Sequence, residues 1–413
     1  MHKGSKAKSI RGGAYRNGFP SPYYARQDPI PHPDSALVNP FSIRLRDAAG
    51  FIALTLALAA CSSRRASNPH MTDMTSARGA TEANAAAIDA ILAPYDSPNA
   101  PGASVVVLHG AEIVYERAVG SADLEAHTPA TVRTDYRLAS LTKAFTAMSI
   151  MLLVQDGKLH YDDRVSDLLP GFPAYAREIR VRHLLTHTSG IVDYEDFVPD
   201  SQTTQLSDDD VLRLVHQTDT LNFAPGAVYH YSNTAYVLLG LIVRRVSGMS
   251  FPGFLHARIF APLHMDSTIA YVKGGPAIPN RAYGYTGDSA GHFTRTDQSS
   301  TSATLGDGGI YTSVTDMAKW SDALDRASLV DAGAMHEAWS PTVLTTGKES
   351  GYGYGWFVST VNGELQLRHH GESTGFTSAI LKYPTRHLTV IVLTNRTGGN
   401  PWEIADRIAA LFP

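Results

Sequence analysis

The stretch RLASLTKAFTAMSIMLLVQDGKL, Arg137 to Leu159, keeps its polar groups at one end. Beyond Ser140 and Lys143 it is apolar on nearly every side until Asp156-Gly157, which predicts a helix buried all round and stopped at that pair. Residues three apart share a helical face, so Ser140 and Lys143 point the same way, within hydrogen-bond reach. A lysine at the edge of a buried helix is desolvated, which lowers its pKa from about 10.4 and lets it accept a proton near neutrality. A serine at the helix start meets the positive end of the dipole, which favours an alkoxide or oxyanion. The bare pair is also compatible with a serine cap followed by a lysine that reaches solvent, so the rest of the chain decides.

Working outward, Ile88, Ile91 and Leu92 recur at helical spacing before Pro94, and ASVVVL and AEIVYERAV flank His109-Gly110 as two strands of a hairpin. At the far end GYGWFVST, ELQLRHH, TSAILKY and LTVIVLTN read as four strands, with turns at Asn362-Gly363 and Pro384-Thr385. A last helix has Asn400 as N-cap, Pro401 at its first position and Glu403 in the first turn, with Ile404, Ile408, Leu411 and Phe412 on one face. Between about 140 and 300, helical patterns and Pro/Gly loops dominate. The expectation is an α+β fold: an antiparallel sheet formed by the N- and C-terminal segments, flanked by helices, with a mainly helical inserted lobe.

The 413 residues are 43% hydrophobic and 18% charged, the composition of a globular chain. Net charge is −4 with no basic stripe, which argues against a nucleic-acid partner. The single cysteine, Cys61, excludes an intrachain disulfide. It ends RLRDAAGFIALTLALAACSS, in which Arg44 and Arg46 precede an apolar run, Ala48 to Ala60, too short to span a bilayer but suited to an export signal. Leu58-Ala59-Ala60-Cys61 resembles a bacterial lipobox, which implies an acylated Cys61 and a lipoprotein anchored to the membrane, facing the periplasm; Ser62, in place of an aspartate, favours the outer membrane. A short buried helix ending in a core cysteine is the alternative. Residues 1–43, rich in Pro, Gly, Arg and Tyr without periodicity, read as disordered or as lying ahead of the true start. Residues 44–61 then form the signal, 62–78 a tether and 79–413 the folded domain.

Two further segments decide the chemistry. Tyr231-Ser232-Asn233 stands just before a strongly apolar helix, and His369-His370-Gly371 lies on an expected strand. Ser-x-x-Lys, Tyr-x-Asn and Lys/His-x-Gly in that order form the motif set of penicillin-recognising serine hydrolases. The chain resembles the class C β-lactamase-like family, which also holds D-alanyl-D-alanine carboxypeptidases and esterases. VRHLLTHTSGI, FAPGAVYHYSN, APLHMDST, GDGGIYTSVTDMAKW and YGYGW extend the resemblance over about 79–413.

The resemblance implies a β-lactamase/transpeptidase-like fold with Ser140 as nucleophile and Lys143 and Tyr231 sharing the base. A phenol beside a lysine ammonium is drawn toward phenolate. Asn233 would bond the lysine and the substrate's acyl side chain, and the backbone N–H groups of Ser140 and Glu372 would form the oxyanion hole. His369 would serve as a cation or donor near the oxyanion, with His370 and Gly371 lining the substrate strand, the glycine admitting close approach. The family implies no cofactor. His183 and His187 are four apart, but no acid follows as in an HExxH helix, so no metal site is expected.

The expected activity is hydrolysis of a small-molecule or peptide acyl substrate through an acyl-enzyme, carboxylesterase-like or D-amino-acid-peptidase-like. A β-lactamase proper, or a non-catalytic peptidoglycan-binding member of the fold, are the alternatives. The His369-His370-Gly371-Glu372 strand lacks the hydroxyl and permanent charge that grip a carboxylate and adds an acid, so neutral short-chain esters are expected to exceed penicillins. Between Asp193 and Asp210 stand seven acidic residues and no Lys or Arg. Ser207 with Asp208, Asp209 and Asp210 reads as a capped helix start, whereas Asp193, Glu195 and Asp196 either border the cleft or form a solvated loop.

Overall fold

Strands Ala103–His109 (β1) and Glu112–Val119 (β2) form the expected hairpin, with Gly110 left-handed at φ 61° between them. The computed structural model describes residues 82–199 and 201–413, so the signal, tether and Cys61 assignments lie outside the described residues. Near the C-terminus follow Phe357–Val361 (β3), Glu364–Ser373 (β4), Phe376–Tyr383 (β5) and Leu388–Thr394 (β6). Strand β6 pairs antiparallel with β1, placing Ala103 opposite Thr394 and His109 opposite Leu388. The six strands run in the order β3-β4-β5-β6-β1-β2, so both ends of the domain close one antiparallel sheet and the middle of the chain is an insertion between its strands.

The main helices are 82–92 (α1), Thr142–Gln155 (α2), Asn233–Ser247 (α3), Val314–Asp325 (α4) and Pro401–Ala409 (α5). One sheet face carries Val105, Val107, Leu381, Val390 and Val392 against Ile88 and Leu92 of α1 and Ile404 and Ile408 of α5. The other carries Val106, Leu108, Ile380 and Ile391 into the core built around Phe145, Met148 and Trp320. A sheet covered on both faces needs apolar residues at consecutive positions, which is why VVVL does not alternate. Phe145 stacks on Trp320 with ring centroids 4.1 Å apart, and burying such a ring stabilises the fold by about 1.5–3 kcal/mol.

Three local readings change. In GYGWFVST only Phe357–Val361 lies in a strand, because Gly355 takes φ 77° and its turn presses onto Ala144 of α2. Asn400 does stand at the N-cap of α5, but its own backbone is left-handed at φ 45° and its side chain makes no cap bond. His183 and His187 do not share a helical face, since their helix ends at Leu185 and His187 has φ 55°. Ser207 caps its helix as read, accepting from Asp210 N.

Candidate active site

Ser140 sits in a 3-10 turn, Ala139–Leu141, wedged between the two-residue strand Tyr136–Arg137 and α2. The helix therefore starts two residues later than the sequence implied. Ala139 has φ 49°, a left-handed conformation that costs a residue with a Cβ about 1–2 kcal/mol. Its neighbours hold it there: Leu138 N donates to Ile310 O at 2.8 Å, and Leu138 O accepts from Ser378 Oγ at 2.8 Å. From Thr134 to Leu153, Ser140 is the one residue that is not buried. The turn thus presents a single hydroxyl from an otherwise sealed segment.

Lys143 is fully buried, and its Nζ lies 3.0 Å from Ser140 Oγ, 2.7 Å from Asn233 Oδ1 and 3.0 Å from the carbonyl oxygen of Asp307. The last two oxygens only accept, so they engage two N–H bonds. The direction toward Ser140 can then carry either a third proton or a lone pair. An uncharged amine in this position keeps both carbonyl contacts and faces the serine hydroxyl as an acceptor, so proton transfer needs no rearrangement.

Tyr231 is hydrogen-bonded to Ser140, and its ring centroid lies 4.9 Å from Lys143 Nζ. Burial of its hydroxyl pushes the pKa well up from 10, and the carboxylates of Asp307, Asp193 and Glu195 add to that. The phenol is therefore favoured over the phenolate the sequence implied, because desolvation and three acids outweigh the hydrogen bond from Ser140.

Asn233 opens α3, but Ser232 Oγ caps that helix, accepting from Ala235 N at 3.3 Å. The Asn233 N–H donates to Asp193, and its side chain bonds both Lys143 and Glu195. Burial, then the charges of Asp193 and Asp307, raise Glu195 to about 7. Asp307 receives the Tyr194 hydroxyl at 3.1 Å. Asp193 is therefore built into the site, whereas Glu195, bonded to Asn233, is exposed at its rim and Asp196 is exposed beside it.

The β4 strand departs furthest from expectation. His369 is buried, accepts from the Tyr352 hydroxyl at Nε2 (3.0 Å) and reaches His370 O through Nδ1 (2.7 Å). Burial, aided by His370 and Lys143, keeps its pKa far below 6.5, so it is a neutral neighbour of Tyr231 and not a cation. His370 points to the opposite face, stacked on Phe357 and edge-on to Trp402 of α5, because successive strand residues alternate. Glu372 is exposed and, by the same alternation, lies on the His370 face of β4. A Cβ on Gly371 would fall 1.9 Å from Leu138 O, so the glycine admits the protein's own backbone rather than a substrate's.

Sequence reasoning missed Asp307, Tyr352 and His187 as parts of the site. All three lie in strings quoted for the resemblance, GDGGIYTSVTDMAKW, YGYGW and VRHLLTHTSGI, but the loop contacts that bring them to Lys143 and Tyr231 leave no periodic signal.

This arrangement of serine, buried lysine, phenol and asparagine on a two-sided antiparallel sheet defines a hydrolase of the β-lactamase/transpeptidase-like class. A family model described as Beta-lactamase matches residues 84–412, and the chain belongs to that family. Penicillin-binding protein 4* of Bacillus subtilis (strain 168) is 32% identical over 322 residues, 74% of this chain and 71% of the relative. Protein flp of Staphylococcus aureus (strain COL) is 31% identical over 312 residues, and there the chain spans only 59% of the relative's length. The crystal structure of penicillin binding protein from Bacillus halodurans superposes with a TM-score of 0.68 at 28% identity, covering 79% of this chain and 99% of that one.

Proposed function

We propose that the protein hydrolyses ester or amide bonds through an acyl-enzyme on Ser140, with carboxylesterase-like or D-amino-acid-peptidase-like activity. The observation that carries this reading is Lys143 Nζ at 3.0 Å from Ser140 Oγ, with two carbonyl oxygens engaging its other directions. Ser140 Oγ attacks the acyl carbon while Lys143 takes its proton. The oxyanion forms against the N–H groups of Ser140 and Glu372, near the positive end of α2. Tyr231, held neutral, gives its proton to the leaving group as the bond to that group breaks, and is reprotonated from Lys143. Water then enters by the same steps in reverse and releases the acid. Fluorophosphonate labelling followed by mass spectrometry tests the reading: an adduct on Ser140, absent in Ser140→Ala, supports it. An intact protein that no acyl-directed probe labels would move the assignment to a non-catalytic binding protein of this fold.

A neutral His369 and an outward His370 leave the strand without the cation and hydroxyl that would grip a substrate carboxylate. We therefore infer that neutral esters exceed β-lactams, and nitrocefin turned over ten times faster than p-nitrophenyl butyrate at pH 7.5 would make β-lactamase the better reading. Export and lipid anchoring at Cys61, with the domain facing the periplasm from the outer membrane, remain part of the proposal on the lipobox residues alone. Cys61→Ser is expected to release an active domain from the membrane fraction, and unchanged fractionation would refute the anchor.

A further inference from the structure

His187 is fully buried just past the Val181–Leu185 helix, and it holds Tyr231 and both its chain neighbours. Its carbonyl accepts the N–H of His230 at 2.9 Å, and its Nδ1 accepts the N–H of Ser232 at 3.0 Å. Those two N–H groups belong to the residues on either side of Tyr231. The Tyr231 ring itself stacks on the His187 imidazole, with centroids 4.2 Å apart and planes 29° apart.

An Nδ1 that accepts places the imidazole proton on Nε2. Among the described residues that Nε2 meets no hydrogen-bonding nitrogen or oxygen; the rings of Tyr236 and Tyr352 surround it, with centroids 4.9 and 4.7 Å from that of His187. Burial, then the neighbouring Lys143, holds the ring neutral. A core-filling aromatic would account for the stacking. It would not account for a nitrogen set against Ser232 N–H, which fixes both the height and the rotation of the platform under the tyrosine.

The geometry points to His187 as the positioning residue for the Tyr231 hydroxyl: it clamps the tyrosine's backbone on both sides and its ring from one face, and so sets the approach of the phenol to Ser140. The inference rests on the proton-relay role of Tyr231 given above. His187 does not itself exchange a proton with substrate.

Two replacements separate its parts. His187→Phe keeps a ring and loses the acceptor, whereas His187→Asn keeps an acceptor and loses the ring. Both are expected to lower kcat for p-nitrophenyl butyrate by roughly tenfold to a hundredfold with KM changed less than about threefold, the scale of a catalytic group displaced by about 1 Å. In a Tyr231→Phe background the same replacements are expected to cost almost nothing further, because the hydroxyl they position is gone. A full additional loss in that background overturns the positioning role while leaving the Tyr231 relay intact. A Tyr231→Phe enzyme with wild-type kcat would instead remove the relay, and this inference with it. Should both His187 variants fail to fold, the 15N spectrum of the wild-type imidazole decides: an unprotonated Nδ1 unchanged from pH 5 to 8 is expected, and a ring that titrates in that window or carries its proton on Nδ1 overturns the assignment.

Discussion

The α-carbon of Gly371 and the carbonyl oxygen of Leu138 approach so closely that a Cβ on the glycine would lie 1.9 Å from that oxygen. Leu138 stands two residues ahead of Ser140, so the contact couples the β4 strand to the turn that carries Ser140.

Gly371→Ala must therefore push backbone against backbone, which no side-chain rotation relieves. It is expected to destabilise the protein by at least about 1–3 kcal/mol in urea unfolding and to slow Ser140 labelling beyond what that loss explains. Gly308→Ala is the control, since its Cβ would meet nothing nearer than 3.7 Å. Equal stability and labelling in the two variants would show that the Leu138 contact does not constrain the turn.

Ser140, Lys143, Asn233 and the Asp307 carbonyl form one hydrogen-bonded cluster, which the proposed mechanism uses as a proton-transfer unit. Ser140→Ala and Lys143→Ala are each expected to abolish most acyl transfer, and the double variant to be no worse than either. Single-turnover rates check this. A Lys143→Ala enzyme that acylates at the wild-type rate would take the lysine out of the mechanism.

The sheet was legible in the sequence because its strands are continuous apolar runs with turn residues between them, and Asn362-Gly363 adopts the left-handed pair, φ 53° and 83°, that such a hairpin turn needs. The cluster of Ser140, Lys143 and Tyr231 was legible because Ser140 and Lys143 are local and Tyr231 lies in an ordered motif. The faces of His370 and Glu372 follow from the pairing of β4 with β5, which period alone leaves undetermined. Protonation states were harder still. His369 looked like a cation until its burial and its bond to Tyr352 were visible, and Tyr231 looked like a phenolate until Asp193, Glu195 and Asp307 were seen to converge on it.

Lys382 tests the energetics of the scaffold away from the site. It is 1% exposed, lies 3.1 Å from Asp325 and donates to Ser321 Oγ at 2.6 Å and Thr389 Oγ1 at 2.9 Å. Asp325→Ala leaves that cation uncompensated and is expected to cost about 3–5 kcal/mol, whereas Lys382→Met in the same background recovers much of the loss. Chemical denaturation measures both. A single Asp325→Ala variant as stable as wild type would show that the hydroxyls alone hold the lysine.

The last prediction concerns charge on the substrate. Glu195 is exposed at the rim of the site, yet desolvation on its inner side, then Asp193 and Asp307, raise it to about 7, and it bonds the side chain of Asn233 beside Lys143. His187 and His369, the imidazoles nearest Tyr231, are held neutral by burial and do not ionise in the same range. A carboxyl with a raised pKa is neutral below that value and charged above it, so negative charge at the cleft appears as pH rises through about 7. A cation fixed on the acyl group should be favoured on the alkaline side only. The p-nitrophenyl ester of 4-trimethylammoniobutyrate and its uncharged isostere, p-nitrophenyl 5,5-dimethylhexanoate, differ in that charge alone, and neither titrates between pH 5.5 and 8. The ratio of their kcat/KM values is expected to rise roughly threefold to tenfold over that range, the effect of one partly screened charge at several ångströms. In Glu195→Gln the ratio should stay flat, whatever happens to the absolute rates. A rise that persists in the variant, or one that the uncharged ester shows alone, would assign the titration to another group and leave Glu195 as a structural partner of Asn233.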